Sequence, residues 1–371
     1  MHFGVMVITP DIVGEKVTGY RGRYDVLFPL IRECGYEGVE IMLKNPALID
    51  FDDIKVQADR SSLRVSAFCT GEMYGEDGIS LADPDVRVRR EALSRLHQLA
   101  EAALFFNAPI TLGRTRGCYI DGTPRQNTEQ WLLEGLEELC AARPRVRFLL
   151  EPVNHYYENF LINTEEGVHF IKRIPKSNVG IMLDYMHLFV EREDIKKSVK
   201  QASLYLHHVH VCDSNRLSLG KGDFDIAPFL KELLSAGYNS CVSMESFAYG
   251  NIEEELKLGR KALQQAYDRA CGQDSSINAL CFDTSDNTLT LTRAVAKDEQ
   301  IIALGNPGFF RALEHIPCGF KVASKAIAKG QKVFKYGKAI GTASSNILSG
   351  QCVHVHNIKS NRGKGAREGT K

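Results

Sequence analysis

Short apolar segments typical of buried strands alternate with longer segments of helical periodicity over the first 270 residues of the chain. The helical pattern is clearest over residues 86–106, 128–142 and 251–270. Because eight strand–helix units occur in succession, the pattern predicts an α/β fold whose strands close into a (β/α)8 TIM barrel. An open, doubly wound sheet is the alternative, but no G-x-G-x-x-G motif follows the first strand to support it. The predicted strands are residues 2–8, 38–43, 65–69, 109–114, 146–152, 178–184, 204–213 and 241–246.

The pattern changes at the short polar segment "CGQDSS", residues 271–276, which predicts a linker. Beyond it, long helical periodicity ends, and an Ile-x-x-Gly-x-x-Val repeat appears at residues 316–322, 327–333 and 347–353. The glycines of this repeat fit tight turns that lead into short strands. We therefore expect a second, small all-β domain over residues 277–360.

The domain organisation follows from these patterns. Residues 1–270 form the predicted barrel domain, and the small β-domain follows the linker. The C-terminal segment "NRGKGAREGTK", residues 361–371, has almost no apolar surface to bury, so we expect a disordered tail.

Composition and charge narrow the classes of function. The 371 residues carry 46 basic and 46 acidic side chains, and this balance argues against a nucleic-acid binder that relies on a strongly basic surface. No apolar segment approaches the roughly 20 residues of a membrane span, and the N-terminus lacks the basic flank of a signal peptide. Ten scattered cysteines without a CxxC pair predict reduced thiols, so we expect a cytoplasmic protein with no membrane partner.

Candidate chemistry lies at the ends of the predicted strands, because the active sites of (β/α)8 barrels lie at the C-terminal ends of their strands. Taken singly, an acidic residue at a strand end is more commonly a solvated loop residue or a helix N-cap. Side chains that bind metals at the ends of four consecutive strands instead predict a site for a divalent cation. These side chains are Glu151, Asp184, His210 and Glu245, on strands five to eight.

The segment "LHHVHVCDSNR", residues 206–216, contains three histidines within four residues. Because successive residues of a strand face opposite sides, His208 and His210 share one face and His207 takes the other. His210 lies nearer the C-terminal end of the strand, so it is the predicted ligand. We expect His208 to be a hydrogen-bonded core residue and His207 to face the surrounding helices.

Several motifs in the barrel region resemble those of the sugar isomerase/epimerase superfamily with a xylose-isomerase-like barrel, in particular the ketose 3-epimerases of the D-tagatose 3-epimerase type. The motifs are "LDYMH" (183–187), "HVHVCDSNR" (208–216), "LGKGDFDI" (219–226) and "ME" (244–245). The segment "FCTGEMYGEDGISLADPDVRVR" (68–89) is similar to members that act on keto-sugar acids. The resemblance covers about residues 1–270.

This resemblance implies roles for individual residues. The four strand-end residues would be the metal ligands, with Mn²⁺ or Mg²⁺ as the first candidates and Co²⁺ or Zn²⁺ as alternatives. Glu151 and Glu245 would also be the two acid/base catalysts, and His187 and Arg216 would hold substrate oxygens. The substrate would be a keto-sugar or a keto-sugar acid, and its context would be carbohydrate metabolism, in particular that of hexuronates.

One departure from the family concerns the substrate pocket. The family often has the pattern E-x-x-N-R-Y-E, whereas "EPVNHYYEN" places Tyr157 at the last position of that pattern and Glu158 one residue later. We therefore expect Glu158, together with Glu72 after the third strand, to contribute to substrate binding. The segment "GRTRG" offers Arg114 or Arg116 to an anionic substrate, with a solvated loop as the alternative.

The implied reaction is consistent with this set of residues. A proton next to a ketone is weakly acidic, and a divalent metal stabilises the enediolate that its removal leaves. Epimerisation removes the proton from one face and returns a proton to the other, which requires two carboxylates on opposite sides of the carbon. Glu151 and Glu245 on different strands therefore favour epimerisation over an isomerisation that uses one base on one face.

The second domain resembles the SAF domain of altronate and galactarate dehydratases, a small β-clip-like domain. The segments "KYGKAIG" (335–341) and "HVHN" (354–357) carry most of this resemblance. In that family the domain accompanies a much larger catalytic part, which this chain lacks. Through residues 277–358 the chain would bind a large dehydratase subunit. His354 and His356 alternate on a predicted strand and would face one site, with an exposed strand end as the alternative.

Two other functions compete with the metal-dependent epimerase or isomerase. One is a small regulatory or binding subunit of a sugar-acid dehydratase complex. The other is a hydrolase like the apurinic endonucleases, which share the barrel but use additional histidines at other strand ends that this sequence lacks. The oligomeric state is open, with a homo-oligomer as one option.

Overall fold

The computed structural model divides into two compact units, Met1–Gly272 and Gln273–Lys371. The predicted disordered tail and residues 273–276 of the predicted linker lie outside the residues that the structure describes. For residues 304 and 306–309 the structure describes the backbone alone. The described residues are 1–176, 178–272, 278–281, 283–304 and 306–360.

Eight parallel strands of the first unit form a closed barrel in chain order, which confirms the predicted fold class. The first strand pairs with the second, and it closes the barrel by pairing with the eighth, where His2 lies opposite Cys241. The strands are β1 (His2–Ile8), β2 (Gly38–Met42), β3 (Arg64–Cys69), β4 (Ile110–Leu112), β5 (Phe148–Leu150), β6 (Val179–Asp184), β7 (Leu206–Val211) and β8 (Cys241–Met244).

Helices connect these strands. The predicted helices at 86–106 and 251–270 are present, and the one predicted at 128–142 begins three residues earlier, at Arg125. None of the helices described in the structure is long and apolar enough to cross a membrane. The helices are α1 (Tyr24–Glu33), α2 (Phe51–Arg60), α3 (Gly71–Gly75), α4 (Val86–Phe106), α5 (Arg125–Ala142), α6 (Thr164–Ile171), α7 (Tyr185–Val190), α8 (Ile195–Ala202), α9 (Ala227–Ser235) and α10 (Ile252–Ala270).

The barrel strands are buried on both faces, because helices cover the outside and side chains fill the inside. All residues of β2, β6 and β8 are buried, and most of them are aliphatic, as a doubly buried strand requires. Charged or titratable side chains inside such strands are therefore exceptions. Glu40, Asp184, His208 and His210 are the four that matter here, since each is at most 1% exposed.

The second unit is mostly antiparallel β-structure, as predicted. It contains a six-stranded sheet in the order β12-β11-β9-β10-β13-β16 and a three-stranded sheet in the order β14-β15-β17. These strands are β9 (Ala279–Leu280), β10 (Thr288–Leu291), β11 (Gln300–Leu304), β12 (Asn306–Arg311), β13 (Lys321–Ala323), β14 (Lys332–Lys335), β15 (Lys338–Ala343), β16 (Cys352–Val353) and β17 (Ile358–Ser360).

The glycines of the sequence repeat occupy the turns that were expected of them. Gly319, Gly330 and Gly350 have φ values of 80°, 87° and 85°, a left-handed conformation that side chains with a Cβ rarely adopt. Each glycine lies one or two residues before a short strand. The repeat therefore marks three turn–strand elements of this unit.

The prediction that His354 and His356 alternate on one strand was wrong, and the alternative of an exposed strand end is closer to what the structure shows. Strand β16 ends at Val353, and both His354 and His356 lie exposed in the turn that follows. The Asn357 side chain ends the strand, because its oxygen accepts from the His354 N–H and its amide nitrogen donates to the Cys352 carbonyl. The two rings are 6.4 Å apart, between centroids, on a turn rather than on one face of a strand.

Candidate metal centre and active site

The structure brings the four predicted strand-end residues together inside the barrel mouth. Glu151 directly follows β5, Asp184 ends β6, His210 lies near the end of β7, and Glu245 directly follows β8. One ligand atom from each lies within 4.8 Å of those of the others. All four are buried, with at most 8% of each residue exposed. Three carboxylates and one imidazole therefore converge on one small volume.

The His210 ring is hydrogen-bonded at one nitrogen and, within the part of the chain that the structure describes, has no hydrogen bond at the other. Its Nε2 lies 2.8 Å from Oε2 of Glu40. Its Nδ1 lies 3.1 Å from Oε2 of Glu245 and 3.8 Å from Oε1 of Glu151. Among the described residues, Nδ1 has no partner in hydrogen-bond geometry. Burial alone would lower the pKa of His210, but Glu40 and Glu245 raise it well above its usual value. A bound cation would therefore displace the proton on Nδ1.

Glu40 was not among the residues predicted from the sequence, and the structure places it at the base of the centre. Its Oε2 also lies 2.7 Å from Nε2 of His208, the predicted hydrogen-bonded core residue. An acidic residue in the middle of the fully buried strand "GVEIM" was the signal that could have identified it. His207 faces away from the barrel interior and accepts a 2.8 Å hydrogen bond from Arg147, so burial and this cation lower its pKa to about 4.

Arg216 lies against two of the predicted metal ligands. Its Nη1 donates to Oδ2 of Asp184 at 2.6 Å, and its Nη2 donates to Glu245. The residue has a φ of 61°, and its backbone N–H donates to the Asp213 carbonyl. The Asp213 side chain accepts from three further backbone N–H groups, of Ser214, Gly220 and Phe224, and thereby fixes the loop that presents the guanidinium.

His187 is oriented by a residue that the sequence analysis did not single out. The amide nitrogen of Asn154 donates to Nδ1 of His187 at 2.8 Å, so the ring proton lies on Nε2. That Nε2 lies 3.7 Å from Glu151 and 3.8 Å from Asp184. Burial lowers the pKa of His187 to about 4, which keeps the ring neutral and makes Nε2 a hydrogen-bond donor to the cavity.

The two predicted catalytic glutamates have different protonation states. Burial raises the pKa of Glu151 to about 8, against the opposing charge of His210. Burial also disfavours the charged form of Glu245, but Arg216 and His210 lower its pKa overall. Thr18 further donates to Glu245 at 2.7 Å. The pair therefore consists of one protonated and one ionised carboxyl group, which is how an acid and a base are distinguished in one site.

These residues fit a divalent cation. Three buried carboxylates repel one another unless cations offset them, and Arg216 supplies only one fixed positive charge. The open Nδ1 of His210 faces the carboxylate oxygens, which gives a set of oxygen donors completed by one nitrogen. Such a set suits a divalent cation that prefers oxygen ligands.

A cavity of about 120 Å³ opens beside this centre. Glu72, Arg114 and Tyr157 line it together with the catalytic candidates. Glu158 is buried, with Oε1 3.7 Å from Nε of Arg114, and Glu72 lies 3.9 Å from the same guanidinium. Burial raises the pKa of both carboxyl groups. Both predicted substrate-binding glutamates therefore lie beside Arg114, but only Glu72 lines the cavity.

Of the two arginines in "GRTRG", only Arg114 lines this cavity. Arg116 is fully buried and donates to the carbonyls of Gly113, Phe160 and Leu161. Arg116 therefore holds the loop between β5 and α6 against the loop after β4. This contact is structural and leaves the guanidinium inaccessible to a substrate.

Comparison with known proteins identifies both units. A family model described as Xylose isomerase-like TIM barrel matches residues 28–266. A second model, Altronate/galactarate dehydratase SAF domain, matches residues 277–361.

The chain is also similar to individual epimerases. It is 33% identical over 258 residues to D-psicose 3-epimerase of Ruminiclostridium cellulolyticum, a match that covers 65% of this chain and 85% of that protein. It is 28% identical to L-ribulose 3-epimerase of Mesorhizobium japonicum, over 61% of this chain and 76% of that protein. The solved structure of an L-ribulose 3-epimerase shares the fold, with a TM-score of 0.63 and 18% identity over 73% of this chain and 96% of that one.

Proposed function

The chain belongs to the xylose isomerase-like TIM barrel family, and on that premise we propose that it is a divalent-metal-dependent epimerase of a keto-sugar acid. It is an enzyme of the epimerase and isomerase class, as its relatives are. The observation that carries the proposal is the convergence of Glu151, Asp184, His210 and Glu245 within 4.8 Å at the barrel mouth.

These four residues would hold the cation. When bound, a divalent ion lowers the energy of the enediolate that forms when a proton leaves the carbon next to a ketone. Arg216 keeps Asp184 and Glu245 in place through its two hydrogen bonds. His187 offers an N–H from a neutral ring, which suits a substrate hydroxyl or carbonyl oxygen.

Glu245 and Glu151 would move the proton. Glu245 is ionised, so it is the base that removes the proton from the substrate carbon. Glu151 would be the acid that returns a proton to the opposite face. Metal binding releases the proton that Glu151 carries in the metal-free protein, so in the metal-bound enzyme it would take a proton from solvent first. Both groups are largely buried, which limits the access of bulk water to the reacting carbon. In the reverse direction the two roles are exchanged.

A carboxylate-bearing substrate is favoured by two features. Lys16 and Arg114 line the cavity and would offset the charge of an acid. The second unit matches the SAF domain of enzymes that dehydrate sugar acids. A neutral ketose would not require either feature.

Proton exchange tests the proposal. We would incubate the protein with Mn²⁺ in D₂O and a panel of ketohexonates, ketouronates and free ketoses, and follow deuterium uptake by NMR. We expect uptake at a carbon next to the carbonyl, faster for the acids than for the matched ketoses. Absence of uptake across the panel would refute the reaction, and equal rates for acids and neutral ketoses would refute the substrate class.

We propose in addition that the second unit recruits a large sugar-acid dehydratase subunit. In the family that it matches, this domain is named as a dehydratase domain, and the match covers nearly all of the unit. A tagged full-length chain should co-purify with such a subunit from cells grown on sugar acids. A monodisperse, fully active protein without this partner would contradict the recruitment and leave the epimerase proposal standing.

A further inference from the structure

We propose that Glu40 is a positioning residue of the metal centre: its carboxylate holds the His210 ring so that Nδ1, and not Nε2, is presented to the cation. The inference rests on the proposed metal site and adds a residue outside the four ligands. Glu40 lies on β2, far in sequence from β7, and no part of it is exposed.

Glu40 is hydrogen-bonded to the predicted ligand His210 itself. Oε2 of Glu40 lies 2.8 Å from Nε2 of His210. A carboxylate can only accept, so Nε2 carries the proton in this contact. Loss of the ring's second proton then leaves the lone pair on Nδ1, the nitrogen that faces Glu151 and Glu245. Ligating histidines commonly donate their other ring N–H to a carboxylate in this way.

Glu40 is itself fixed by a second hydrogen bond. His208 donates to the same Oε2 from its own Nε2 at 2.7 Å. The two rings lie 5.2 Å apart with an interplanar angle of 83°, so the two donors approach the oxygen from different directions. An oxygen held by two N–H groups cannot rotate away when a cation enters or leaves, and His210 therefore keeps its orientation.

A carboxylate at position 40 carries a cost in folding free energy. Glu40 is the one acidic residue within the eight barrel strands apart from Asp184, and its Oε1 has no hydrogen-bond partner among the described residues. Burying a charge without full compensation is costly. If the side chain at this position only had to fill space, an aliphatic residue would do so without burying a charge, as the neighbouring residues of β2 do. The cost is consistent with a role for this group in the adjacent site.

Metal affinity tests the proposal directly. We would titrate Mn²⁺ into metal-free Glu40→Gln by calorimetry, and we expect binding about 10- to 100-fold weaker than in the wild type. Glu255→Gln is the matched control, because Glu255 is also buried, on α10, and pairs with Lys221 away from the centre. Asp184→Asn should abolish binding.

The two variants distinguish the role of Glu40 from the existence of the metal site. A folded Glu40→Gln variant with wild-type affinity, beside an Asp184→Asn variant that no longer binds, would overturn the role of Glu40 and leave the metal site intact. Unchanged binding in Asp184→Asn would refute the metal site itself.

A measurement on the unmutated protein covers the case in which Glu40→Gln does not fold. With ¹¹³Cd²⁺ bound to protein labelled with ¹⁵N-histidine, we expect scalar coupling of the metal to Nδ1 of His210 and a slowly exchanging proton on its Nε2. Coupling to Nε2 would overturn the proposal.

Discussion

Arg216 donates a hydrogen bond to Asp184, with 2.6 Å between Nη1 and Oδ2. The contact links a residue expected to bind substrate with one expected to bind metal. In the metal-free protein the guanidinium supplies positive charge among carboxylates that would otherwise repel one another. Arg216 and the cation therefore act on the same charges, and each should change the effect of the other.

This relationship predicts the behaviour of Arg216→Gln. Without the guanidinium, the metal-free protein contains a less compensated cluster of buried carboxylates, so its melting temperature should fall. The rise in melting temperature on adding saturating Mn²⁺ should then be larger than in the wild type. Thermal unfolding with EDTA and with Mn²⁺ measures both quantities. An equal or smaller rise in the variant would contradict the shared role.

The acid/base assignment predicts that Glu151→Gln and Glu245→Gln each lose activity. Because each face of the carbon needs its own carboxylate, epimerisation should fall by at least about 10²- to 10⁴-fold in either variant. If the metal is retained, each variant keeps the carboxylate on one face of the carbon. Exchange of the substrate proton with D₂O should therefore persist more for one epimer than for the other. Deuterium exchange and product formation, measured for both epimers, test this. Near wild-type epimerisation in either variant would exclude that residue.

Much of this site could be predicted from the sequence, because a closed barrel brings the ends of its strands together whatever lies between them. Glu151, Asp184, His210 and Glu245 could be selected by their positions alone. Glu40 could not, since it lies in the middle of a strand and acts across the barrel, where neighbours depend on register and tilt. The turn at His354 was also missed, because the strand is ended by an Asn357 side chain whose contacts the residue pattern does not reveal.

The raised pKa of Glu151 predicts a pH dependence of metal binding. The folded, metal-free carboxyl group has a pKa of about 8 instead of 4.5, so it is protonated below pH 8. Metal binding requires the carboxylate and must release this proton, so affinity should rise with pH up to about 8. Calorimetry of Mn²⁺ binding at pH 7 in buffers of different ionisation enthalpy counts the protons. Glu151→Gln should release about one fewer, and an unchanged number would contradict the assignment.

The same pKa has a consequence for stability. Between pH 4.5 and about 8 the folded metal-free protein binds more protons at Glu151 than the unfolded chain does. The contribution of this group to stability is therefore fully present below pH 4.5 and is lost as the pH rises towards 8. Denaturant unfolding of the metal-free protein should show this component, and Glu151→Gln should lack it.

Glu158 should affect substrate binding without affecting the metal. Its carboxyl group is buried beside Arg114, which lines the cavity, and is not one of the four clustered ligands. Glu158 itself does not line the cavity, so we expect Glu158→Gln to act through the position of Arg114 and to raise KM by less than about 10-fold, the effect of losing one charge-assisted hydrogen bond, while Mn²⁺ affinity stays at the wild-type value. Steady-state kinetics and calorimetry measure the two effects. Glu129→Gln is the control, because Glu129 is half-buried on α5 and pairs with Arg173.

Arg114 and Arg116 lie two residues apart, and the structure predicts opposite effects of replacing them. Arg116 is fully buried and its guanidinium donates to three backbone carbonyls, so Arg116→Gln leaves buried acceptors unpaired. We expect it to lower the free energy of unfolding by about 1–3 kcal/mol for each buried acceptor left unpaired. Arg114 is partly exposed at the cavity and makes only long contacts of 3.7 and 3.9 Å with carboxylates. Arg114→Gln should therefore leave stability nearly unchanged and raise KM for a keto-sugar acid more than KM for the matched neutral ketose.

Urea unfolding of both variants, followed by kinetics on the two substrates, separates the structural arginine from the one that contacts substrate. Equal effects of Arg114→Gln on the acid and on the ketose would remove Arg114 from substrate selection.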